Sequence, residues 1–83
     1  MTEALTPPFT RKQGQYLAFI YYYTKLMRQA PSEAEIQGYF RVSSAAIHQM
    51  VITLTEKGLI SREPGQARSI RLLLPRAALP DLE

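Results

Sequence analysis

Three helices closed by a small β-hairpin, a mostly α fold, are what this sequence predicts, on three observations. Apolar residues recur at helical spacing in three separate stretches, each preceded by Ser or Thr. Two short apolar runs follow, divided by Pro64-Gly65. With 83 residues, 46% of them hydrophobic, the chain can close one modest core and not two.

The elements follow in order. Residues 1–8 include Pro7 and Pro8 and are expected to form a flexible lead, with the initial Met marking a chain start. Thr10 reads as an N-cap with Gln13 at the capping-box position, so a helix is expected from Arg11 to about Arg28. At about 100° per residue, Tyr16, Leu17, Ile20, Tyr23, Thr24 and Met27 share one broad face, the expected core side. Phe19, Tyr22 and Leu26 form a second stripe nearly opposite. That stripe should meet either a second subunit or the apolar tail of this chain. Gln29-Ala30-Pro31 stops the helix, because proline disfavours helical backbone in the residue before it.

Ser32, with Glu35 three residues on, opens a short helix carrying Ile36, Tyr39 and Phe40 on one face. Arg41-Val42-Ser43-Ser44 breaks the pattern and supplies two N-cap residues. Ile47, Met50, Val51 and Leu54 rebuild an apolar face on a longer helix, which ends at Lys57-Gly58. A short helix, a tight turn and a longer helix make a helix-turn-helix. The outer face of the longer helix carries Ser44, Ala45, His48, Gln49 and Ile52. Small and hydrogen-bonding groups at its N-terminal end suit close approach to base edges in a major groove.

Residues 59–62 and 68–74 read as strands, with 63–67 as the turn between them. In the second strand Ile70 and Leu72 fall on one side, Ser69 and Arg71 on the other. A hairpin this small is marginal alone and needs the helices beneath it. Its basic tip makes it the wing of a winged helix-turn-helix. Pro75 stops the strand, and the segment after it is expected to be a short helical turn or loose. The chain thus divides into a lead over 1–8, a winged helix-turn-helix domain over 9–75 and a tail over 76–83.

Composition narrows the function. The net charge is +3, and the acidic residues outside the termini are Glu33, Glu35, Glu56 and Glu63. The basic excess in the C-terminal half points to a polyanion, most simply nucleic acid, although charge alone fits a solvated surface equally well. There is no cysteine, hence no disulfide and no cysteine zinc site. No signal peptide or membrane-spanning run is evident, and a cytoplasmic, nucleoid-associated location is expected. A single histidine, His48, offers no metal-ligand set. No nucleophile, base and orienter converge, and no Gly-rich phosphate loop is present, so neither catalysis nor a cofactor is expected. No small-molecule ligand is expected either. Tyr21, Tyr22 and Tyr23 point about 100° apart and cannot form one stacking platform.

Among the outward residues, Gln49 can pair bidentately with adenine, and His48 can reach a base or a phosphate. Both also fit as ordinary solvated helix residues. Arg68 and Arg71 read as wing cations for phosphates, or as edge charges that keep a hairpin soluble. Lys57 adds charge and compensates the helix C-terminus.

Glu35-Ile36, the Ser43-Ser44 turn, and EKGLI followed by REPGQARSIRLL resemble the N-terminal DNA-binding domain of LexA repressors. More broadly the chain is similar to MarR-type winged helix-turn-helix regulators. The resemblance covers roughly Phe9 to Leu74 and is most specific in the wing. It implies a third helix that enters the major groove, with Ser43, Ser44, Ala45, His48 and Gln49 touching bases. It also implies that Arg62, Gln66 and Arg68 meet phosphates or the minor groove. Two positions depart from the pattern. Arg41 stands where a turn glycine is common, which strains the turn or adds a phosphate contact, and Gly38 interrupts the short helix. The resemblance does not extend to the protease-like, dimerising region of a full LexA repressor, and the SOS response is not carried over.

The function expected is a sequence-specific, double-stranded DNA-binding transcriptional regulator acting as a homodimer, with Phe19, Tyr22 and Leu26 as its seam. A winged-helix protein-interaction module is the competing expectation, which exposure of Met50 and Ile52 would favour. A replication initiator or phage factor on the same fold is a third.

Overall fold

The computed structural model describes residues 8–83, so most of the lead expected over 1–8 lies outside the described residues. Three helices, α1 (Arg11–Met27), α2 (Glu33–Phe40) and α3 (Ser44–Glu56), precede strands β1 (Ile60–Ser61) and β2 (Arg71–Leu72) and a 3-10 turn at Arg76–Ala78. Both expected capping boxes form. Thr10 accepts from the Gln13 N–H while Gln13 accepts from Thr10, and Ser32 and Glu35 repeat the exchange. The third helix ends in a Schellman closure: the Leu59 N–H reaches the Leu54 carbonyl and the Gly58 N–H that of Thr55, each at 3.0 Å. Gly58 takes the left-handed backbone (φ +75°) that this closure needs.

The core sits where the three helices meet the hairpin. Leu17 and Ile20 of α1, Ile36 of α2, Ile47, Val51 and Leu54 of α3, and Leu59, Ile60 and Ile70 of the hairpin region fill it. On α3 all four expected core positions are buried. On α1 the expected core face holds only in its N-terminal two-thirds: Thr24 and Met27 are exposed, because the helix outruns the layer beneath it.

The strands are shorter than the sequence predicts. They pair antiparallel only at Ile60↔Leu72 and Ser61↔Arg71. Beyond that, Arg68 turns left-handed (φ 55°) and breaks the extended run. The Ser69 side chain takes over the bonding there, receiving the Glu63 N–H at 2.9 Å and donating to the Gln66 carbonyl at 2.9 Å.

The second stripe on α1 needs correction at Phe19. That residue is 8% exposed and stacks among Tyr23, Tyr39 and Phe40, so it belongs to the core with α2 rather than to an outward seam. Tyr22 is half-buried, and its hydroxyl accepts from Arg76 at 2.7 Å. Leu26 alone stays outward, 76% exposed. Of the two covers expected for this stripe, the chain's own tail takes part. Leu79 is buried in the core, and Pro80 packs on Gly14, where a Cβ would come within 3.2 Å of its ring and 2.9 Å of Phe9. Gln15 holds the end of the tail, donating to the Asp81 carbonyl and accepting from the Glu83 N–H.

Candidate nucleic-acid interface

The N-terminal half of α3 is built to leave polar groups outward. Ser43, the N-cap, accepts from the Ala46 N–H at 3.1 Å, and its carbonyl accepts from the Ile47 N–H. Its side chain is therefore occupied with the cap, whereas Ser44, Ala45, His48 and Gln49 share the exposed face. The Gln49 amide meets Thr53 only at 3.4 Å, a weak bond it can exchange for a base edge. His48 Nδ1 stands 3.6 Å from a Glu33 carboxylate oxygen at the start of α2, and both side chains remain open to solvent. Met50 is buried and Ile52 half-buried, so this face carries no exposed large apolar group. The helix contains no Lys or Arg, and its one acidic residue is Glu56 in its last position.

Cations flank this helix, which has no Lys or Arg of its own. Arg41 closes α2 in the left-handed region (φ 58°), which favours glycine. It is exposed and makes no ion pair among the described residues. Arg62 leaves β1 into a cleft shared by the wing turn (Gly65, Gln66) and the start of α2 (Ser32, Glu33). Gln66 is exposed, with its backbone fixed by Glu63 and Ser69. Arg71 is exposed on β2 and is unpaired among the described residues. Lys57 is directed instead toward α1, its Nζ donating to Gln13 Oε1 at 2.9 Å.

Arg68 differs from its expected place among the wing cations. Its guanidinium grips Glu35 through two bonds of 2.8 Å, reaches the Ala30 carbonyl at 3.0 Å and meets the Tyr23 hydroxyl at 3.4 Å. The fork matches a carboxylate, a planar two-bond geometry that arginine supplies and lysine does not. Arg68, followed by the Ser32 N–H and the Tyr23 hydroxyl, holds the Glu35 carboxyl down to about 2, and Glu35 in turn raises the Arg68 guanidinium. Capping-box spacing revealed Glu35 in the sequence. Its second partner, 33 residues away, left no local signal.

A helix-turn-helix with a polar, outward third helix, a basic turn before it and a hairpin wing beside it defines a class: winged helix-turn-helix DNA-binding domains. Residues 6–69 match the model of the LexA DNA binding domain, and the chain belongs to that family. It is thus a DNA-binding domain. Among its relatives is a LexA repressor of Thermosipho melanesiensis, 38% identical over 64 residues, which cover 77% of this chain and 32% of the relative. The chain therefore spans about a third of the length of that curated relative. Among the described residues, no helix is long and apolar enough to cross a membrane.

Proposed function

We propose that this chain is the DNA-reading part of a repressor, acting without catalysis on double-stranded DNA in the cytoplasm. The third helix lies in the major groove with Ser44, Ala45, His48 and Gln49 toward the bases. Ser43 contributes by fixing the start of that helix. Arg41, Arg62 and Arg71, with the wing turn at Gln66, lie along the backbone and supply the affinity that does not depend on sequence. The observation that carries this reading is the outward face of α3. It exposes small and hydrogen-bonding side chains, engaged inside the protein only through the long Gln49–Thr53 bond and the 3.6 Å approach of His48 to Glu33, while Met50 faces the core. A protein-docking helix would present the reverse. The relative's name, a repressor, supports the regulatory sense. One copy covers one half-site, so two copies on a symmetric site is the stoichiometry expected.

Selection of bound duplexes from a randomised library tests this directly. A recovered motif that Gln49→Ala relaxes at one base pair, by about 1–3 kcal/mol of discrimination, is the expected result. Recovery of no motif would defeat the reading.

A further inference from the structure

The wing is held in an unusual way. Only two residue pairs join its strands, and the segment between them, residues 62–70, lies outside the ladder. Within that segment the Ser69 network ties the turn to itself. The side-chain bonds that tie it to the helices come from Arg68. That one guanidinium reaches α1 at Tyr23, the α1–α2 connection at Ala30 and α2 at Glu35. Its acceptor is itself immobilised, because Glu35 Oε1 also receives the Ser32 N–H at 2.8 Å in the capping box. A rigid fork on a rigid carboxylate fixes the wing relative to the helix-turn-helix. Two surface clefts, one between the wing and the start of α2 and one between α1 and β2, are both lined by Arg68 and Ile70, which stand between them.

We propose that Glu35 and Arg68 are positioning residues for DNA binding: their ion pair sets the wing's distance from the third helix, and Arg68 acts on DNA through that geometry rather than by touching a phosphate. The guanidinium edge that forms the fork is taken by Glu35 and Ala30, so a phosphate gripped by that same fork would displace Glu35 and leave a part-buried carboxylate without its ion pair. This rests on the DNA-binding reading and extends it to two residues that never contact the ligand. Removing a negative charge near DNA ordinarily strengthens binding. Here removal of the Glu35 charge weakens it, because the wing loses its anchor.

The test uses a mixed-sequence duplex of about two helical turns and the duplex selected by the wild type, each over a range of salt. Glu35→Gln suits it because glutamine keeps the capping-box acceptor while removing the charge. Arg68→Lys keeps the charge while losing the fork, and Arg68→Gln and the double variant Glu35→Gln, Arg68→Gln complete the cycle. Each variant is checked for folding by circular dichroism at the assay temperature. The expected result is a loss of about tenfold in affinity for either single variant and no further loss in the double, as for residues acting as one unit. The slope of affinity against salt stays that of the wild type throughout, and Arg68→Lys behaves like Arg68→Gln. A shallower slope in Arg68→Gln with full binding by Glu35→Gln would make Arg68 a phosphate contact and overturn the proposal. Unchanged binding by every folded variant would reduce the pair to a purely structural role and overturn it too. Failure of the wild type to bind either duplex would defeat the underlying DNA-binding reading, a result distinct from both.

Discussion

At the residue scale, Glu35 concentrates two tasks in one side chain. It completes the cap of α2 and receives the fork of Arg68. Its carboxyl lies at about 2 in the folded protein against an ordinary value of 4.5, so between those values the unfolded chain binds more protons than the folded one. The stability this contributes is complete above the ordinary value and is lost as pH falls through the folded one. Thermal unfolding should therefore show Glu35→Gln less stable than wild type at pH 7, the gap closing as pH drops from about 5 to about 2. A gap that persisted at pH 2 would contradict the assignment. The cap was legible in the sequence because its partners stand three residues apart. The fork was not, since nothing local distinguishes Arg68 from Arg71, and only the closed fold brings one of them to a carboxylate.

At the scale of the element, the turn between α2 and α3 combines a conformational cost with a charge. Arg41 stands in a left-handed conformation that costs a side-chain-bearing residue about 1–2 kcal/mol. Arg41→Gly should raise stability by about 0.5–1 kcal/mol, the rest being offset by the chain entropy glycine loses on folding. The same change should lower the salt slope of duplex binding by about 1, through loss of one phosphate contact. Urea unfolding and binding titrations would check the two halves separately. Helices and their caps were readable because helical periodicity and capping spacing are local. Strand lengths were not: residues 68–74 look extended throughout, and the late start of β2 at Arg71 depends on where Arg68 is drawn.

At the scale of the molecule, the segment after Pro75 is part of what keeps α1 covered. Leu79 fills the core from outside the hairpin, and Arg76 joins Tyr22 to Asp81. Leu79→Ala should cost about 2 kcal/mol in urea unfolding, near the low end for a buried leucine because the site lies at the edge of the core. The sequence showed that Phe19, Tyr22 and Leu26 exceed what one core needs, yet left open what would cover them. Phe19 went to α2 because Tyr39 and Phe40 lie within stacking distance, a long-range fact that no spacing encodes. The third helix, without Lys or Arg, also divides labour across the whole surface. On the proposed reading, counterions compete with Arg41, Arg62 and Arg71, whereas the helix assigned to the bases carries no Lys or Arg for them to compete with. Raising the salt should thus loosen the hold on every duplex by a similar factor, leaving the preference for the selected site over mixed sequence nearly flat.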